Sequence, residues 1–350
     1  MQSLAEPDRA LLKELLLARG PSGDEKEVRA VCQKALEPLV DESWSDAAGN
    51  LVGLVRAENA TRPPIMAVAH MDEIAMIVKR LLPDGRLRVT NLGGDRPMSF
   101  GQCAVDILAD DEHLTGVLSL GSLHRTNDSP EMAEIRRSGV DWEVVSVITG
   151  RSREALEKAG VHPGTRVVLS CVERQLIDVG DLLGAHFMDD RALIVAGVVS
   201  LRQLLERRGE MTRDVYFVCS TKEEVTNGGA KFAARTLPGD QMIALEVGPV
   251  AHEYDTVLDE RPILSFGDQK GIYSPELIDD IRAAAKAEDV TPQLALLEEF
   301  ASDASATISS GLKPQTAVLC IPTQNTHGFE LIHKGAIPTY ARVLTRALLG

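Results

Sequence analysis

The chain has 350 residues, of which 44% are hydrophobic and 25% charged, and its formal net charge is -15. This length allows a large hydrophobic core and predicts two domains. The acidic balance argues against a nucleic-acid partner, because a phosphate backbone is bound by clustered lysine and arginine. The sequence contains no run of eighteen apolar residues, no basic-then-apolar N-terminus and no Cys-x-x-Cys pair. We therefore expect no membrane span, no signal peptide and a reducing, cytoplasmic location.

The first part of the chain predicts helices followed by strands. Leucines at helical spacing predict a helix over 8–18, and an amphipathic pattern predicts a second helix over 25–39. Apolar runs predict strands over 50–55 and 64–69. The second strand leads directly into His70 and the acidic residues that follow it. Side chains able to bind a ligand are therefore expected at the carboxyl end of a buried strand.

From about residue 74 the pattern changes to short alternating runs separated by glycine-containing turns. This pattern is typical of a small β-rich domain, in which only 152–159 is predicted as a helix. We predict a β-barrel-like domain over 74–178, inserted into an α/β domain made of 1–73 and 179–350. The α/β domain is expected to contain a mixed, mostly parallel sheet flanked by helices. The inserted domain would act as a lid or in oligomerisation.

The pattern of helices and buried strands resumes near residue 182. Asp189 and Asp190 precede an apolar-rich helix predicted over 192–205, so they lie at a helix N-terminus, where negative charge is favourable. Capping of that helix would by itself explain the pair. A metal-binding role for these carboxylates therefore depends on which other residues reach the same edge of the sheet.

A continuous apolar strand over 215–220 leads to two adjacent carboxylates, Glu223 and Glu224. An apolar run of this length is typical of a strand buried on both faces of a sheet. Two further apolar strands are predicted before Glu246 and His327. The ordinary explanation of a glutamate pair is a solvated helix start, and that of a single histidine is a hydrogen-bonded core or surface side chain.

Considered as an ordered set, these residues predict a metal centre. If the strands are mostly parallel, their carboxyl ends meet at one edge of the sheet, where open α/β folds bind ligands. Two imidazoles with several carboxylates form the ligand set of a two-metal hydrolytic site, and they suit zinc, cobalt or manganese better than calcium. The set consists of His70, Asp189, Glu223, Glu224, Glu246 and His327.

In this order the residues resemble the co-catalytic metallopeptidases, and most specifically family 42 of the metallopeptidases, the glutamyl aminopeptidases and tetrahedral (TET) aminopeptidases. The resemblance covers nearly the whole chain, including the inserted β-rich domain. It implies the di-metal exopeptidase fold and two divalent metal ions per subunit, zinc or cobalt, with manganese as the alternative. The motifs that carry it are Ser22-Gly23-Asp24-Glu25, Gly49-Asn50-Leu51, His70-Met71-Asp72-Glu73, Gly93-Gly94, Met188-Asp189-Asp190-Arg191, Glu223-Glu224-Val225 and Ser302-Asp303-Ala304.

The resemblance also implies which residues bind each metal ion. Asp189 would bridge the two ions. His70 and Glu246 would complete the ligands of one ion, and Glu224 and His327 those of the other. Position 246 is a glutamate where the family more often has aspartate, which changes the reach of the ligand but not its type.

The catalytic roles follow from the same resemblance. Glu223 would be the general base, and Asp72 would orient the His70 ring. Arg191 would support Asp189 and would not touch the substrate. The chain departs from the family pattern after the glutamate pair, where it has Val-Thr-Asn-Gly-Gly instead of Val-Gly-Leu-Arg-Gly, and around the last histidine. These departures leave the metal ligands intact and concern the substrate pocket.

The expected function is that of a metal-dependent aminopeptidase that releases N-terminal residues from short peptides. A water shared by two metal ions would attack the amide carbonyl, and Glu223 would move its proton to the leaving amine. Two alternatives stay open: an amidohydrolase that removes acyl groups from small N-acyl amino acids, and a metal-binding scaffold without catalysis. The resemblance implies a homo-oligomer, from a dimer to a tetrahedral dodecamer, that acts on peptides.

Overall fold

The computed structural model of the chain describes residues 4–122, 124–126 and 128–350. Its α-helices are α1 (Glu6–Leu17), α2 (Lys26–Leu36), α3 (Pro97–Phe100), α4 (Pro130–Ser138), α5 (Arg153–Lys158), α6 (Met188–Glu206), α7 (Glu223–Thr226), α8 (Gly228–Thr236), α9 (Pro275–Ala287), α10 (Asp303–Ser309) and α11 (Ala336–Leu349). Its β-strands are β1 (Glu42–Ser45), β2 (Leu51–Val55), β3 (Ile65–His70), β4 (Ala75–Leu81), β5 (Leu87–Leu92), β6 (Ala104–Leu108), β7 (His113–Ser119), β8 (Ser146–Ile148), β9 (Arg166–Leu169), β10 (Ile177–Val179), β11 (Leu182–His186), β12 (Val215–Ser220), β13 (Gln241–Pro249), β14 (Ile263–Asp268), β15 (Gly271–Ile272), β16 (Gln293–Leu297), β17 (Gln315–Gln324) and β18 (Phe329–His333). These strands form a mixed sheet and a closed barrel.

The mixed sheet has the strand order β1-β2-β12-β3-β13-β17-β18-β11-β10, and β14 branches from β17 to pair with β15 and β16. Its central strands β12, β3, β13 and β17 run parallel to one another, whereas the outer pairs β1–β2 and β10–β11 are antiparallel. This arrangement confirms the predicted mixed α/β fold class. The carboxyl ends of the parallel strands consequently meet at one edge.

The central strands are apolar because they are buried inside the molecule. Every residue of β3 is buried, and β13 is buried except at its two ends. Helix α6 packs against β13, α11 and α10 pack against β17, and α8 packs against β12. Strands covered in this way show continuous apolar runs instead of alternation, which is why the sequence predicts them. Among the described residues, no helix is both long and apolar enough to cross a membrane.

The barrel has the strand order β4-β5-β8-β7-β6-β9. Buried and exposed residues alternate along β7, as expected when one face packs inside a barrel and the other meets solvent. Its strands lie between Ala75 and Leu169, and we call residues 75–169 the barrel segment. The predicted small β-barrel in the middle of the chain is therefore confirmed, while the domain boundaries at residues 74 and 178 stay a prediction.

Some elements differ from those that the sequence predicts. The barrel segment contains helix α4, capped by Ser129, whose mostly polar sequence hides the helical period. Strand β13 runs on to Pro249, so Glu246 lies inside the strand and not after it. Asp189 and Asp190 are counted within α6, but their backbone torsion angles are not helical. The last two differences decide how the candidate ligands are placed.

Candidate metal centre

His70 is the last residue of β3 and is almost fully buried, with 2% of its surface exposed. Its Nε2 lies 2.8 Å from Oδ1 of Asp189, and its Nδ1 lies 2.9 Å from the backbone oxygen of Asp72. Burial alone would lower the pKa of His70, but the hydrogen bond with Asp189 and the charges of nearby carboxylates raise it well above its usual value. The ring is therefore fixed on both sides within an acidic environment.

Asp189 and Asp190 come directly before the regular turns of α6. The chain enters this segment through Phe187, which adopts the left-handed conformation with φ of 67°. Asp189 faces the His70 ring, whereas Oδ2 of Asp190 accepts a hydrogen bond from the His70 backbone N–H at 2.9 Å. The backbone N–H of Asp189 donates to Glu330 at 3.0 Å. Both aspartates therefore lie at the end of β3.

Glu223 and Glu224 begin α7, shortly after the end of β12. Their backbone N–H groups donate to the two carboxylate oxygens of Asp72 at 2.9 and 3.2 Å, and the Ser22 hydroxyl donates to the same carboxylate. The Asp72 carboxylate thus fixes the turn that carries the glutamate pair. Its Oδ1 lies 3.7 Å from Nδ1 of His70, so the nearer partner of the ring is the Asp72 backbone oxygen.

Glu246 lies inside β13, yet it reaches the same edge of the sheet. Ala244 pairs with Val68 of the neighbouring β3, so two residues further on Glu246 is level with His70. Because side chains alternate along a strand, these two residues then face the same side of the sheet. The Oε2 of Glu246 lies 4.0 Å from Nε2 of His70. The register between β3 and β13 therefore brings Glu246 to the site.

His327 follows β17 in a turn and has a left-handed backbone, with φ of 60°. Its Nε2 lies 3.6 Å from Oδ2 of Asp189 and 3.6 Å from Oε2 of Glu224. Its Nδ1 lies 2.9 Å from the backbone oxygen of Gly94, between β5 and α3. A glycine favours this approach, because a Cβ at position 94 would lie only 3.3 Å from the histidine ring. The barrel segment therefore orients one ring of the site.

Arg191 makes no hydrogen bond to Asp189 in the described structure. Its buried guanidinium donates to Glu73 at 2.8 Å and to the backbone oxygen of Met71. Arg174 donates to the two oxygens of the same Glu73 at 2.5 and 3.0 Å. Arg191 thus holds the loop that follows β3, and its charge also lowers the pKa of Asp189, although the two side chains share no hydrogen bond.

The structure brings the predicted ligands together. Asp189 belongs to two of the groups given below, as His70 and Glu224 also do. Asp190 joins the cluster as well, and its Oδ1 has no hydrogen-bond partner among the described residues. The groups whose ligand atoms lie within 4.8 Å of one another are His70, Asp189, Asp190 and Glu246; His70, Glu223 and Glu224; and Asp189, Glu224 and His327.

The buried carboxylates of the cluster lie close enough to raise one another's pKa. Burial raises the pKa of Glu224 and Glu246 well above the usual value, and neighbouring carboxylates raise it further. The pKa of Glu223 is raised for the same reasons. Divalent cations would relieve this repulsion, and imidazoles combined with carboxylates are donors that zinc, cobalt and manganese accept. The residues present therefore fit a metal centre.

The centre opens into a cleft of about 850 Å³. Its walls include Arg96 from the barrel segment and Glu253, Lys270 and Glu299 from loops of the mixed sheet. A cleft of this volume is large enough for a short peptide segment. Charged residues of both signs line it, so the walls alone do not select one charge on the substrate.

Sequence reasoning missed some side chains that hold the ligands in place. Glu330 accepts hydrogen bonds from the backbone N–H groups of Asp189 and His327, both at 3.0 Å. Beside the glutamate pair, Nδ2 of Asn227 donates a hydrogen bond to Oδ1 of Asp303 at 3.2 Å. The only available signals were the Ser-Asp-Ala motif around Asp303 and the closeness of Glu330 to the last histidine in sequence. Neither signal predicts a contact without the fold.

A mixed α/β sheet with imidazoles and carboxylates gathered at the carboxyl edge of its parallel strands defines a hydrolase of the metallopeptidase class. The sequence matches the M42 glutamyl aminopeptidase family over residues 49–343, and the chain belongs to that family. It is therefore a peptidase, and its buried cluster is able to hold the divalent metal that membership of a metallopeptidase family implies.

Several known proteins are similar to this chain in sequence or in fold. A putative aminopeptidase of Acetivibrio thermocellus is 28% identical over 324 residues, which are 91% of this chain and 91% of that protein. The TET aminopeptidase of Thaumarchaeota archaeon SCGC AB-539-E09 superposes with a TM-score of 0.87 at 24% identity, over 98% of this chain and 97% of that one. The TET1 peptidase of Pyrococcus horikoshii, which can assemble into a tetrahedron or a large octahedral shell, superposes with a TM-score of 0.84 at 22% identity, over 97% and 99% of the two chains. These structural likenesses show a shared fold.

Proposed function

We propose that the chain is an aminopeptidase that uses two divalent metal ions to remove N-terminal residues from short peptides. The observation that carries this proposal is the convergence of two histidines and several carboxylates beside one cleft, which is lined by Asp189, Glu223, Glu224, Glu246 and His327. His70 and Glu246 would hold one ion and Glu224 and His327 the other, with Asp189 shared between them. Zinc, cobalt or manganese match this donor set.

The chemistry divides between the ions and the side chains around them. When bound, the ions would acidify a water molecule and polarise the amide carbonyl of the substrate. Glu223 would take the proton of the attacking water and return it to the leaving amine, and its position beside His70 and Glu224 supports this role. Asp72 holds Glu223 and Glu224 through their backbone N–H groups, so the base and a metal ligand keep a fixed spacing.

A free N-terminal amine has more partners in this cleft than an N-acyl group. The metal ions would offset the charge of their ligand carboxylates, but Glu253 and Glu299 of the cleft wall lie outside that ligand set and could pair with the ammonium group of a peptide N-terminus. An N-acyl group carries no such charge, which argues against the amidohydrolase. A metal-binding scaffold without catalysis would not need Glu223 beside the ligands.

We also infer that the chain assembles with copies of itself. The fold that it shares with the TET1 peptidase of Pyrococcus horikoshii over nearly the full length supports such an assembly. The barrel segment offers surface for it, because Met98, Val117 and Ile148 are exposed apolar side chains. A closed assembly would restrict the active sites to short or unfolded peptides.

Metal analysis and a substrate panel test the proposal together. Protein loaded with zinc, cobalt or manganese should contain about two ions per chain, and a chelator should abolish its activity. Peptides with a free α-amine should be cleaved, and the matching N-acyl peptides should not. Equal cleavage of the N-acyl peptides would favour the amidohydrolase. Metal-loaded protein that is inactive on the whole panel would favour the scaffold.

A further inference from the structure

Asn227 lies in a segment where the chain departs from the family pattern, between α7 and α8. It is 5% exposed and adopts the left-handed conformation, with φ of 54° and ψ of 28°. Asparagine is one of the few residues besides glycine that tolerate this conformation. The left-handed residue ends α7 after a single turn and leaves the Asn227 side chain beside the carboxylate of Glu223.

The carboxamide of Asn227 joins the general base to a cation. Its Nδ2 donates to Oε1 of Glu223 at 2.5 Å and to Oδ1 of Asp303 at 3.2 Å. Its Oδ1 accepts a hydrogen bond from Nζ of Lys270 at 3.0 Å. These partners fix the orientation of the amide, because a flipped amide would place its oxygen against two carboxylates and its NH₂ group against an ammonium group.

The partners of Asn227 are themselves held in place. Asp303 begins α10 and accepts a hydrogen bond at 2.7 Å from the hydroxyl of Ser220, the last residue of β12. Lys270 lies in the turn between β14 and β15, where its backbone N–H donates to Asp268 at 2.8 Å. Asn227 is therefore anchored to a helix start on one side and to a strand turn on the other.

These two anchors are connected to each other. The hydroxyl of Tyr273 donates to Asp268 at 2.5 Å and lies 3.1 Å from the hydroxyl of Ser302, which caps the helix that Asp303 begins. Asp268, Tyr273, Ser302 and Asp303 are all buried residues. Hydrogen bonds, together with the peptide bond between Ser302 and Asp303, thus connect the Lys270 turn with Glu223. Lys270 is exposed and Glu223 is half-buried, but the side chains between them are buried, and a satisfied buried network makes its members rigid.

We propose that Asn227 and Lys270 are positioning residues for the general base. In the described part of the chain, the side chain of Glu223 accepts hydrogen bonds only through Oε1, so the network holds this oxygen and leaves Oε2 for the attacking water. The Lys270 ammonium polarises the amide of Asn227 and strengthens the bond that the amide donates. The inference rests on the role proposed above for Glu223 in peptide hydrolysis.

Substitutions at both positions test this inference. Asn227→Gly deletes the side chain and keeps the left-handed backbone free of strain. It should lower kcat about 10- to 100-fold and change KM by less than about threefold, since a misplaced base slows the reaction more than it weakens binding.

Lys270→Met should lower kcat about 3- to 10-fold, and Lys270→Arg should keep it within about twofold of the wild type. Lys231→Met is the matched control, because Nζ of Lys231 donates to the backbone oxygen of Thr226 at 3.0 Å in the same pair of helices.

Metal content and thermal midpoint are measured for every variant, because a purely structural role would reduce them together with kcat. A crystal structure of Asn227→Gly should show the Glu223 carboxylate displaced. Unchanged kcat in Asn227→Gly and Lys270→Met, or a loss of kcat that follows a loss of metal, would overturn the inference. If Asn227→Gly does not fold, Lys270→Met decides together with Asn227→Asp, which keeps the size but replaces the donor by an acceptor.

Glu223→Gln separates this inference from the proposed function. If Glu223→Gln remains active, Glu223 is not the base, and the proposed mechanism and the positioning role fail together. If Glu223→Gln is inactive while the Asn227 and Lys270 variants are fully active, only the positioning role fails.

Discussion

At the scale of single residues, the adjacent Glu223 and Glu224 have different surroundings. Oε2 of Glu224 lies 3.6 Å from the His327 ring, whereas Oε1 of Glu223 accepts a hydrogen bond from Asn227. We expect Glu223→Gln to lower kcat/KM about 10²- to 10⁴-fold and to keep its metal, because an amide preserves the shape but cannot take a proton. Glu224→Gln should lose metal as well as activity. Steady-state kinetics and elemental analysis of the same samples measure both effects, and a Glu223→Gln variant with wild-type kcat/KM would leave helix capping as the role of the pair.

Asp95 is another residue in an unusual environment. It is 6% exposed, and neither of its carboxylate oxygens has a hydrogen-bond partner among the described residues. Burial raises the pKa of Asp95 to about 8, although the charge of His327 opposes this shift. Between about pH 4 and pH 8 the folded state keeps a proton that the unfolded state has released. The free energy of unfolding therefore falls as the pH rises through this range and stays low above it.

Asp95→Asn should remove this pH-dependent loss, because asparagine cannot ionise. The thermal midpoint of Asp95→Asn should exceed that of the wild type by more at pH 8 than at pH 5. We expect this difference to be at least about 2 °C larger at pH 8. The measurement is thermal unfolding of chelated protein, so that no bound cation acts on Asp95. Asp111→Asn, at an exposed position, serves as the control. A gain that is the same at both pH values would contradict the prediction.

At the scale of structural elements, a buried ion-pair cluster holds the loop that follows β3. Glu73 receives hydrogen bonds from Arg174, which follows the barrel segment, and from Arg191 in α6, with closest distances of 2.5 and 2.8 Å. All three side chains are completely buried. The cluster thus joins β3, the exit from the barrel and α6 directly beside the candidate metal ligands.

Glu73→Gln should destabilise the protein by about 3–5 kcal/mol, because two buried guanidinium groups would lose the carboxylate that neutralises them. Urea unfolding measures the change. Glu42→Gln is the matched control: Glu42 pairs with Arg56 at the surface, and its loss should leave the urea midpoint unchanged. Equal shifts in the two variants would mean that burial of the Glu73 cluster adds nothing to stability.

The sequence predicted these elements unequally well. Strands β3 and β12 could be recognised because continuous apolar runs end in chemically active residues. The position of Glu246 inside its strand could not be predicted, because it depends on how far β13 extends past β3 and on the register between the two strands. The contact between Asp72 and the backbone of Glu223 spans 151 residues, so no local pattern reports it. The ligand types were therefore predictable from the sequence. Of the orienting side chains, Asp72 was predicted for the His70 ring, but its hold on the backbone of the glutamate pair was not.

At the scale of the whole molecule, the barrel segment contributes to the active site and also presents an outer surface. Gly94 contacts the His327 ring, and Arg96 lines the cleft. On the surface, Val117 of β7 pairs with Ile148 of β8, and both side chains are exposed, by 46% and 45%. The segment thus reaches the candidate site and also carries exposed apolar side chains.

We expect the protein to form a homo-oligomer in which the barrel segment carries one of the contacts. Burying adjacent exposed apolar side chains in an interface is favourable, and a charge placed among them opposes it. Light scattering at micromolar concentration should give a multiple of the 37.9 kDa chain mass. Val117→Glu should lower that mass, whereas Val257→Glu, at a similarly exposed valine outside the barrel segment, should not. A wild-type mass near 37.9 kDa would contradict assembly, and an oligomer unaffected by Val117→Glu would place the contact on another surface. Peptidase activity should survive dissociation of the Val117→Glu variant, because every candidate metal ligand comes from one chain.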